Sequence, residues 1–315
     1  MKTSPTPTEA AGFRLLTYLS DCGPRAGIAA GDSFVDAAAA TGNAAYASVE
    51  AILGDWRAAE PSLHHAMGRG EEFLIADSKL LAPLRPGAIY CAGANYRDHV
   101  EAAMKATGLP PDPAPHEVGL KPWHFIKPLS TVVGDGATVN VVAAKLDWEA
   151  ELAVVIGNSA RRVSMENALD HAAGYTIAND LSARDLILRP QLTPTSPFRF
   201  DWIGQKCFDG SCPLGPFLVP ASQIPDPQAL SIQLSVNGHI KQQSNTSQML
   251  FSAAEQISHL SSRLTLWPGD IVLTGTPAGT GLESGTFLQP GDVIEIEIER
   301  LGCLTTIIGR LDGLT

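Results

Sequence analysis

Three acids stand at every second position in Leu146-Asp147-Trp148-Glu149-Ala150-Glu151-Leu152. The residues that follow, Ala153-Val154-Val155-Ile156-Gly157, are an apolar, β-branched run ending in glycine, the pattern of a buried strand. Strand side chains alternate faces, so Asp147, Glu149 and Glu151 are expected to point one way and Trp148 and Ala150 the other. Carboxylates crowded at the mouth of a buried strand repel one another unless positive charge sits between them. A hard divalent cation held by oxygen ligands would supply it. A solvated strand end, its acids simply facing water, is the competing reading, and the local pattern leaves both open.

Other stretches with chemical potential are weaker. Gly275-Thr-Pro-Ala-Gly-Thr-Gly281 is glycine-rich but lacks the Gly-Lys-Ser/Thr of a phosphate loop and the spacing of a dinucleotide fingerprint. Ser182 and Ser211 lie in no nucleophile elbow. His64 and His65 fall in a surface helix or loop with no partner pattern. Glu295, Glu297 and Glu299 alternate with apolar residues as a solvated strand face would.

Bulk properties narrow the partners. The chain has 315 residues, enough for one large domain and a small one. With 44% hydrophobic and 17% charged residues it suits a globular protein with a substantial core. Its 22 Lys and Arg against 33 Asp and Glu give a net charge of −11, which repels nucleic acid and anionic lipid. Cys22, Cys91, Cys207, Cys212 and Cys303 form no C-x-x-C or zinc spacing, which fits a reducing cytoplasm. No apolar run approaches membrane-spanning length. Met1 to Thr8 lacks the apolar core of a signal peptide, and residues 1–10 are expected to be a frayed tail.

The elements that must position the acids can be read in order. Arg14–Leu19, Ala26–Ala30 and Phe34-Val35 read as strands around a Gly31-Asp32 turn, and Val49–Trp56 has helical spacing that Pro61 is expected to limit. Residues 1–82 thus form a small α+β domain, and the Pro-rich joint Leu81–Gly87 opens a second domain over 83–315. Ile89–Ala92 reads as a buried strand. Lys105 to Lys127 holds five prolines and reads as a long functional loop such as a lid. Val139–Val142 is a strand, Met165–Ala173 a helix, and Gly174–Asp185 a strand ending in acid. Residues 186–205 read as a second flap. Leu230–Val236 and His239–Gln242 pair around Asn237-Gly238, a helix spans Ser252–Arg263, and Pro-Gly-Asp turns flank the glycine-rich stretch. Many short strands and few helices indicate an α+β, β-rich core, a sandwich or a rolled sheet.

Five segments, in order, resemble one family. They are Cys91-Ala-Gly-Ala-Asn-Tyr-Arg-Asp-His99, Asp147–Gly157, Gly174–Asp185, Gln205-Lys-Cys-Phe-Asp-Gly210 and Leu273-Thr-Gly-Thr-Pro-Ala-Gly279. Together they resemble the fumarylacetoacetate hydrolase family over about residues 83 to 311, and the leading module resembles the N-terminal domain of its bacterial members. The resemblance implies a rolled mixed β-sheet catalytic domain, usually a homodimer, with one Mg²⁺ or Mn²⁺ per site. It implies 2,4-dioxo acids such as acylpyruvates as substrates, cleaved at a carbon–carbon bond, while relatives isomerise, dehydrate or decarboxylate 2-oxo acids. Carried over residue by residue, it puts metal ligands at Glu149, Glu151 and Asp180, a general base at His99 and an active-site lysine at Lys206. Arg184 and Thr276 match substrate-contacting positions, and Asn95 is placed with them as a substrate contact; it matches a place where a distant relative supplies an acid, and as an amide it could touch the metal only weakly or through water. Asp147 is left as a supporting or solvated acid.

Two positions depart from the family pattern. Many hydrolytic members pair the histidine with a glutamate three residues on, where this chain has Ala102. Glu101, two residues on, points nearly opposite to His99 at about 100° per helical residue, so it completes a dyad only if the segment is non-helical. Glu283 is the alternative orienter. Ile187 replaces a glutamine of some hydrolases. The leading expectation is a C–C hydrolase of an acylpyruvate-like acid. An isomerase, decarboxylase or dehydratase on the same scaffold, or a non-catalytic 2-oxo acid binder, stands behind it.

Overall fold

The computed structural model describes residues 12–107 and 113–310. The tail expected over residues 1–10, and residues 108–112 of the expected lid, lie outside these. The chain begins with a meander of β1 (Arg14–Ser20), β2 (Gly23–Ala30) and β3 (Ser33–Asp36), followed by α1 (Ala37–Thr41), α2 (Val49–Gly54), α3 (Trp56–Ala66), β4 (Glu72–Leu74) and β5 (Leu80–Leu81). The helical stretch expected over Val49–Trp56 is two helices parted at Asp55, and Pro61 does not limit the second but lies inside α3. Proline in a helix interior costs about 3 kcal/mol. Here the ring is exposed, and Trp56, Ala59, Leu63 and Ala66 bury one face, which at about 1.5–3 kcal/mol per large side chain outweighs that cost.

Next come β6 (Ile89–Ala92), α4 (Arg97–Thr107), β7 (His124–Lys127), β8 (Val132–Val133), β9 (Ala137–Asn140), β10 (Leu146–Asp147), β11 (Ala150–Ile156), β12 (Ala172–Asn179) and β13 (Ser182–Ala183). The expected Met165–Ala173 helix is a 3₁₀ segment ending at His171. The chain closes with α5 (Trp202–Lys206), β14 (Cys212–Pro220), β15 (Ser231–Val236), β16 (His239–Asn245), α6 (Ala253–Arg263), β17 (Ile271–Leu273), α7 (Gly281–Ser284), β18 (Val293–Ile298) and β19 (Gly302–Gly309).

A large mixed sheet runs β4-β3-β2-β1-β14-β12-β11-β17-β6-β7, and a second runs β16-β15-β18-β19-β9. The N-terminal strands extend the large sheet through β1, where Leu15 pairs with Leu218 of β14. Leu15, Ile28, Trp56 and Leu63 share a core with Ala153, Val155, Leu218 and Leu273. The other face of β11, Leu152, Val154 and Ile156, packs in a second core with Ile232, Leu234, Ile294 and Ile296 of the five-stranded sheet, and with Ile257 and Leu260 of α6. A strand buried on both faces loses its polar alternation, hence the continuous apolar run after Glu151. The Asn237-Gly238 hairpin forms as expected, with positive φ of 51° and 75° at its two turn residues. Helix α6 starts at Ser252 with a reciprocal Ser252–Glu255 capping box.

Candidate active site

The acids converge because β11 and β12 are antiparallel neighbours. Ala150 lies opposite Asn179 and Glu151 opposite Ala178, so Glu149 just before one strand meets Asp180 just after the other. Asp180 N donates to the Glu149 carbonyl at 2.9 Å, and Glu149 N donates to Asn179 Oδ1 at 3.1 Å. One carboxylate oxygen from each of Glu149, Glu151 and Asp180 lies within 4.8 Å of the others, and all three residues are buried. Trp148 points away, its indole donating to the Gly279 carbonyl at 3.0 Å.

Burying so much negative charge requires cations, and three side chains deliver them. Lys206, at the end of α5, donates to Glu149 Oε2 at 2.7 Å and to Asp180 Oδ2 at 2.6 Å. Arg184 donates to Asp147 Oδ2 at 2.8 Å and to Glu149 Oε1 at 2.5 Å. Lys127, from β7, lies 2.5 Å from Asp180 Oδ1. Its directed hydrogen bonds go to the Ser211 and Leu181 carbonyls instead, so Asp180 Oδ1 keeps an ionic neighbour but no hydrogen-bond donor. Lys127 had no role in the sequence reading; only the register of β7 beside β6 brings it here.

These contacts leave a deficit. Four carboxylates, Asp147 included, face three cations among the described residues. Burial pushes the Glu149 carboxyl up, but Lys206 and Arg184 outweigh it and hold the group below its ordinary range. Glu151 has no such partner. Burial, then Asp180 and Glu149, drive its carboxyl well above the usual value, opposed by Lys206 and by the 2.5 Å bond from Gly275 N. Burial lowers Lys206, yet Asp180 and Glu149 raise it further, so it stays charged. An Asp180 oxygen without a hydrogen-bond donor, an uncompensated Glu151 and an all-oxygen donor set fit a hard divalent cation such as Mg²⁺ or Mn²⁺.

The base side is built differently from the Glu101 expectation. His99 sits in the first turn of a regular α4, and Glu101 is exposed on the helix's outer side. His99 Nδ1 instead meets Glu283 Oε1 at 2.7 Å. Glu283, the alternative partner named from the sequence, is therefore the carboxylate found against His99. Burial raises the Glu283 carboxyl, but His99 and the Gly279 N–H overcome this and lower it. Asp98 braces the helix start, accepting from Ser244 Oγ at 2.6 Å and from Ala278 N at 3.3 Å.

The glycine-rich stretch proves to be scaffolding for acids. Gly275 N donates to Glu151, Gly279 N to Glu283 at 2.7 Å, Gly281 N to Asp147 Oδ1 at 2.6 Å and Leu282 N to Asp147 Oδ2 at 3.1 Å. Gly275 has φ of 96°, and a Cβ there would meet Asn95 Cβ at 2.8 Å, so only glycine allows this approach. Asn95 itself does not face the substrate space: its side chain bonds to Phe251 N and O and to Thr274 O. The expectation of a weak metal or substrate contact from Asn95 is therefore corrected. Its carboxamide is fully used in bracing main chain. Thr276 lines the cleft and accepts from Gln242 Nε2 at 2.9 Å.

His99, Glu149, Glu151, Arg184, Lys206 and Thr276 border one cleft of about 340 Å³. Trp123, Phe125 and Trp202 also line it, Trp123 from the expected lid and Trp202 from the expected second flap. A larger hollow, about 1240 Å³ and bordered by β5 and β8, contains none of the groups described above. Among the described residues no helix is long and apolar enough to cross a membrane.

Residues 88–308 match the family described as fumarylacetoacetate (FAA) hydrolase C-terminal. The oxaloacetate tautomerase YisK of Bacillus subtilis is 41% identical over 245 residues, 75% of each chain. The mitochondrial oxaloacetate tautomerase fahd2 of Xenopus laevis is 38% identical over 262 residues, 81% of this chain and 74% of that one. A 2-hydroxyhepta-2,4-diene-1,7-dioate isomerase from Mycobacterium marinum has a similar structure, with a TM-score of 0.71, 28% identity, and 96% of this chain and 100% of that one covered.

Proposed function

The chain belongs to the fumarylacetoacetate hydrolase family, and we propose that it is a divalent-metal-dependent keto–enol tautomerase of a 2-oxo acid. The observation that carries the reading is His99, paired with Glu283, bordering the same cleft as Lys206 and as Glu149 and Glu151, which cluster with Asp180. Mg²⁺ or Mn²⁺ held by those three carboxylates would supply Lewis acidity to the 2-oxo oxygen. With Nδ1 donating to Glu283, His99 Nε2 carries the lone pair and takes the proton from C3. The C–H electron pair becomes the C2–C3 double bond, the carbonyl pair moves to oxygen, and the proton held on His99 Nε2 passes to that oxygen through water, which completes the enol and restores the neutral imidazole. Lys206 stabilises the developing negative charge without losing its own proton. The tautomerase activity named for relatives at 38–41% identity supports this order of preference over hydrolysis.

A second reading, C–C hydrolysis of an acylpyruvate, is favoured by the same dyad, since Nε2 could equally deprotonate a water. The test follows enol absorbance of 2-oxo acids with the Mn²⁺-loaded protein and assays pyruvate release from acylpyruvates. Accelerated enol decay without pyruvate release is the expected result. Pyruvate release without faster tautomerisation overturns the tautomerase reading in favour of the second.

A further inference from the structure

Trp123, Phe125 and Trp202 line the cleft together with the carboxylates, and the lysine and arginine that border it are each paired with carboxylates. Trp123 and Trp202 meet edge-on at 5.6 Å between centroids, and Phe125 stacks on Trp202 at 5.8 Å with planes 23° apart. Phe125 also lies 5.0 Å beneath Lys206 Nζ, which joins the aromatic wall directly to the charged floor. Trp123 reaches inward because residue 93 is glycine: a Cβ there would fall 1.9 Å from the indole ring. Despite these contacts Trp123 is 46% exposed and Trp202 41%, so flat apolar surface is left open beside the reacting groups.

Charge points the same way. Arg184 and Lys206 are the Lys and Arg side chains bordering the cleft among the described residues, and each is already bonded to two carboxylates. One substrate carboxylate can be met by the cation that Glu149, Glu151 and Asp180 would hold. A second would enter a space walled by tryptophan and leucine with no free counter-charge, a costly position for an ion.

We propose that this site selects 2-oxo acids whose substituent beyond the 2-oxo group is flat and apolar, an aryl ring above all, over those bearing a second carboxylate. The inference rests on the enolisation reading above but concerns selectivity, so binding can test it apart from turnover. Aromatic partners prefer offset or edge-on packing at centroid separations of about 4.5–7 Å, which the Trp123–Trp202–Phe125 arrangement already uses and an entering ring would continue. A cleft of about 340 Å³ has room for it.

The experiment uses the full chain loaded with Mn²⁺. Benzoylformate and 4-carboxybenzoylformate share one shape, differ by one distal carboxylate, and cannot enolise; both are titrated by calorimetry. Enol decay of phenylpyruvate and oxaloacetate is measured in parallel. Benzoylformate is expected to bind about tenfold tighter or better than its carboxylated twin, and phenylpyruvate to have the higher kcat/KM. Trp202→Ala should erase most of the benzoylformate preference and Trp202→Phe should restore it, with circular dichroism confirming both fold. Equal or tighter binding of the carboxylated ligand, or a preference untouched by Trp202→Ala, overturns the proposal. Selective benzoylformate binding without phenylpyruvate turnover would leave the selectivity standing and sink the reaction reading. Faster oxaloacetate turnover with tighter dianion binding would do the reverse.

Discussion

The Asp147–Glu151 stretch and strand β18 both place acids at every second position, yet Asp147, Glu149 and Glu151 are buried while Glu295, Glu297 and Glu299 face water. The sequence alternation is the same, although β18 is one strand and the Asp147–Glu151 stretch spans the gap between β10 and β11. The difference lies in what the rest of the chain brings to each. On β18 the alternate residues Ile294, Ile296 and Ile298 fill a core, and the glutamates face solvent, with serine donors to Glu295 and Glu299 and no cation among the described residues. Around Glu149 and Asp180, lysines from β7 and α5 and an arginine from beyond β13 converge from distant sequence. Alternation therefore reports a strand, whereas burial of the acids reports the cations and, at Glu151, the want of one.

The sharpest way to break this contrast is Lys206→Met. Removing one partner of a buried ion pair costs about 3–5 kcal/mol, and here two carboxylates lose a donor. Urea unfolding of the metal-free protein should show that loss, and turnover should fall about 10²–10³-fold. Glu283→Gln comes next: with His99 no longer oriented by a carboxylate, kcat should drop about 10²-fold while Mn²⁺ affinity by electron paramagnetic resonance stays unchanged. Glu101→Gln, by contrast, should leave kcat within about twofold, as an exposed helix position predicts.

A pH series sharpens the comparison further. The Glu151 carboxyl is raised in the folded protein, so the folded state holds this proton more tightly than the unfolded chain. Stability of the metal-free protein should then decline as pH rises from about 4.3, the ordinary glutamate value, toward the raised one, by at most about 1.4 kcal/mol per unit. Glu149, lowered in the folded state, contributes stability that is lost only as pH falls below that ordinary value, so the two windows separate. Mn²⁺ must displace the Glu151 proton, and its affinity should rise with pH up to about tenfold per unit. Urea midpoints and Mn²⁺ titrations across this range check both slopes, and Glu151→Gln should flatten the stability decline. Smallest of all, Glu297→Gln on β18 should move stability by no more than about 0.5 kcal/mol and leave turnover unaltered.

Much of this was legible in local sequence. The strand after Glu151, the Asn237-Gly238 hairpin and the Ser252 helix start each follow from short-range rules that tertiary structure had no reason to override. Pro61 misled because its helix is held by a buried face that a local rule does not see. Family motifs brought Glu149, Glu151, Asp180, His99 and Lys206 to notice, and the cleft gathers them. Asn95 lies in a motif too, but its side chain is spent on Phe251 and Thr274. Lys127, Trp123 and Trp202 carried no signal, since their importance comes from strand register and from the return of two long loops to one cleft. Helical geometry did give one usable warning: a residue two along from His99 faces the wrong way, which left Glu283 to fill the role.

The peptide from Gly275 to Leu282 has a consequence for how this site can change over time. One short run of amides holds Glu151, Glu283 and Asp147 together. The gap between the carboxylate floor and His99 is therefore gauged by a residue count. Single side-chain exchanges at Ala278 leave that gauge alone. An insertion or deletion of one residue between Gly275 and Gly281 would knock acid and histidine out of step without altering either, so this stretch is constrained in length as well as at its glycines.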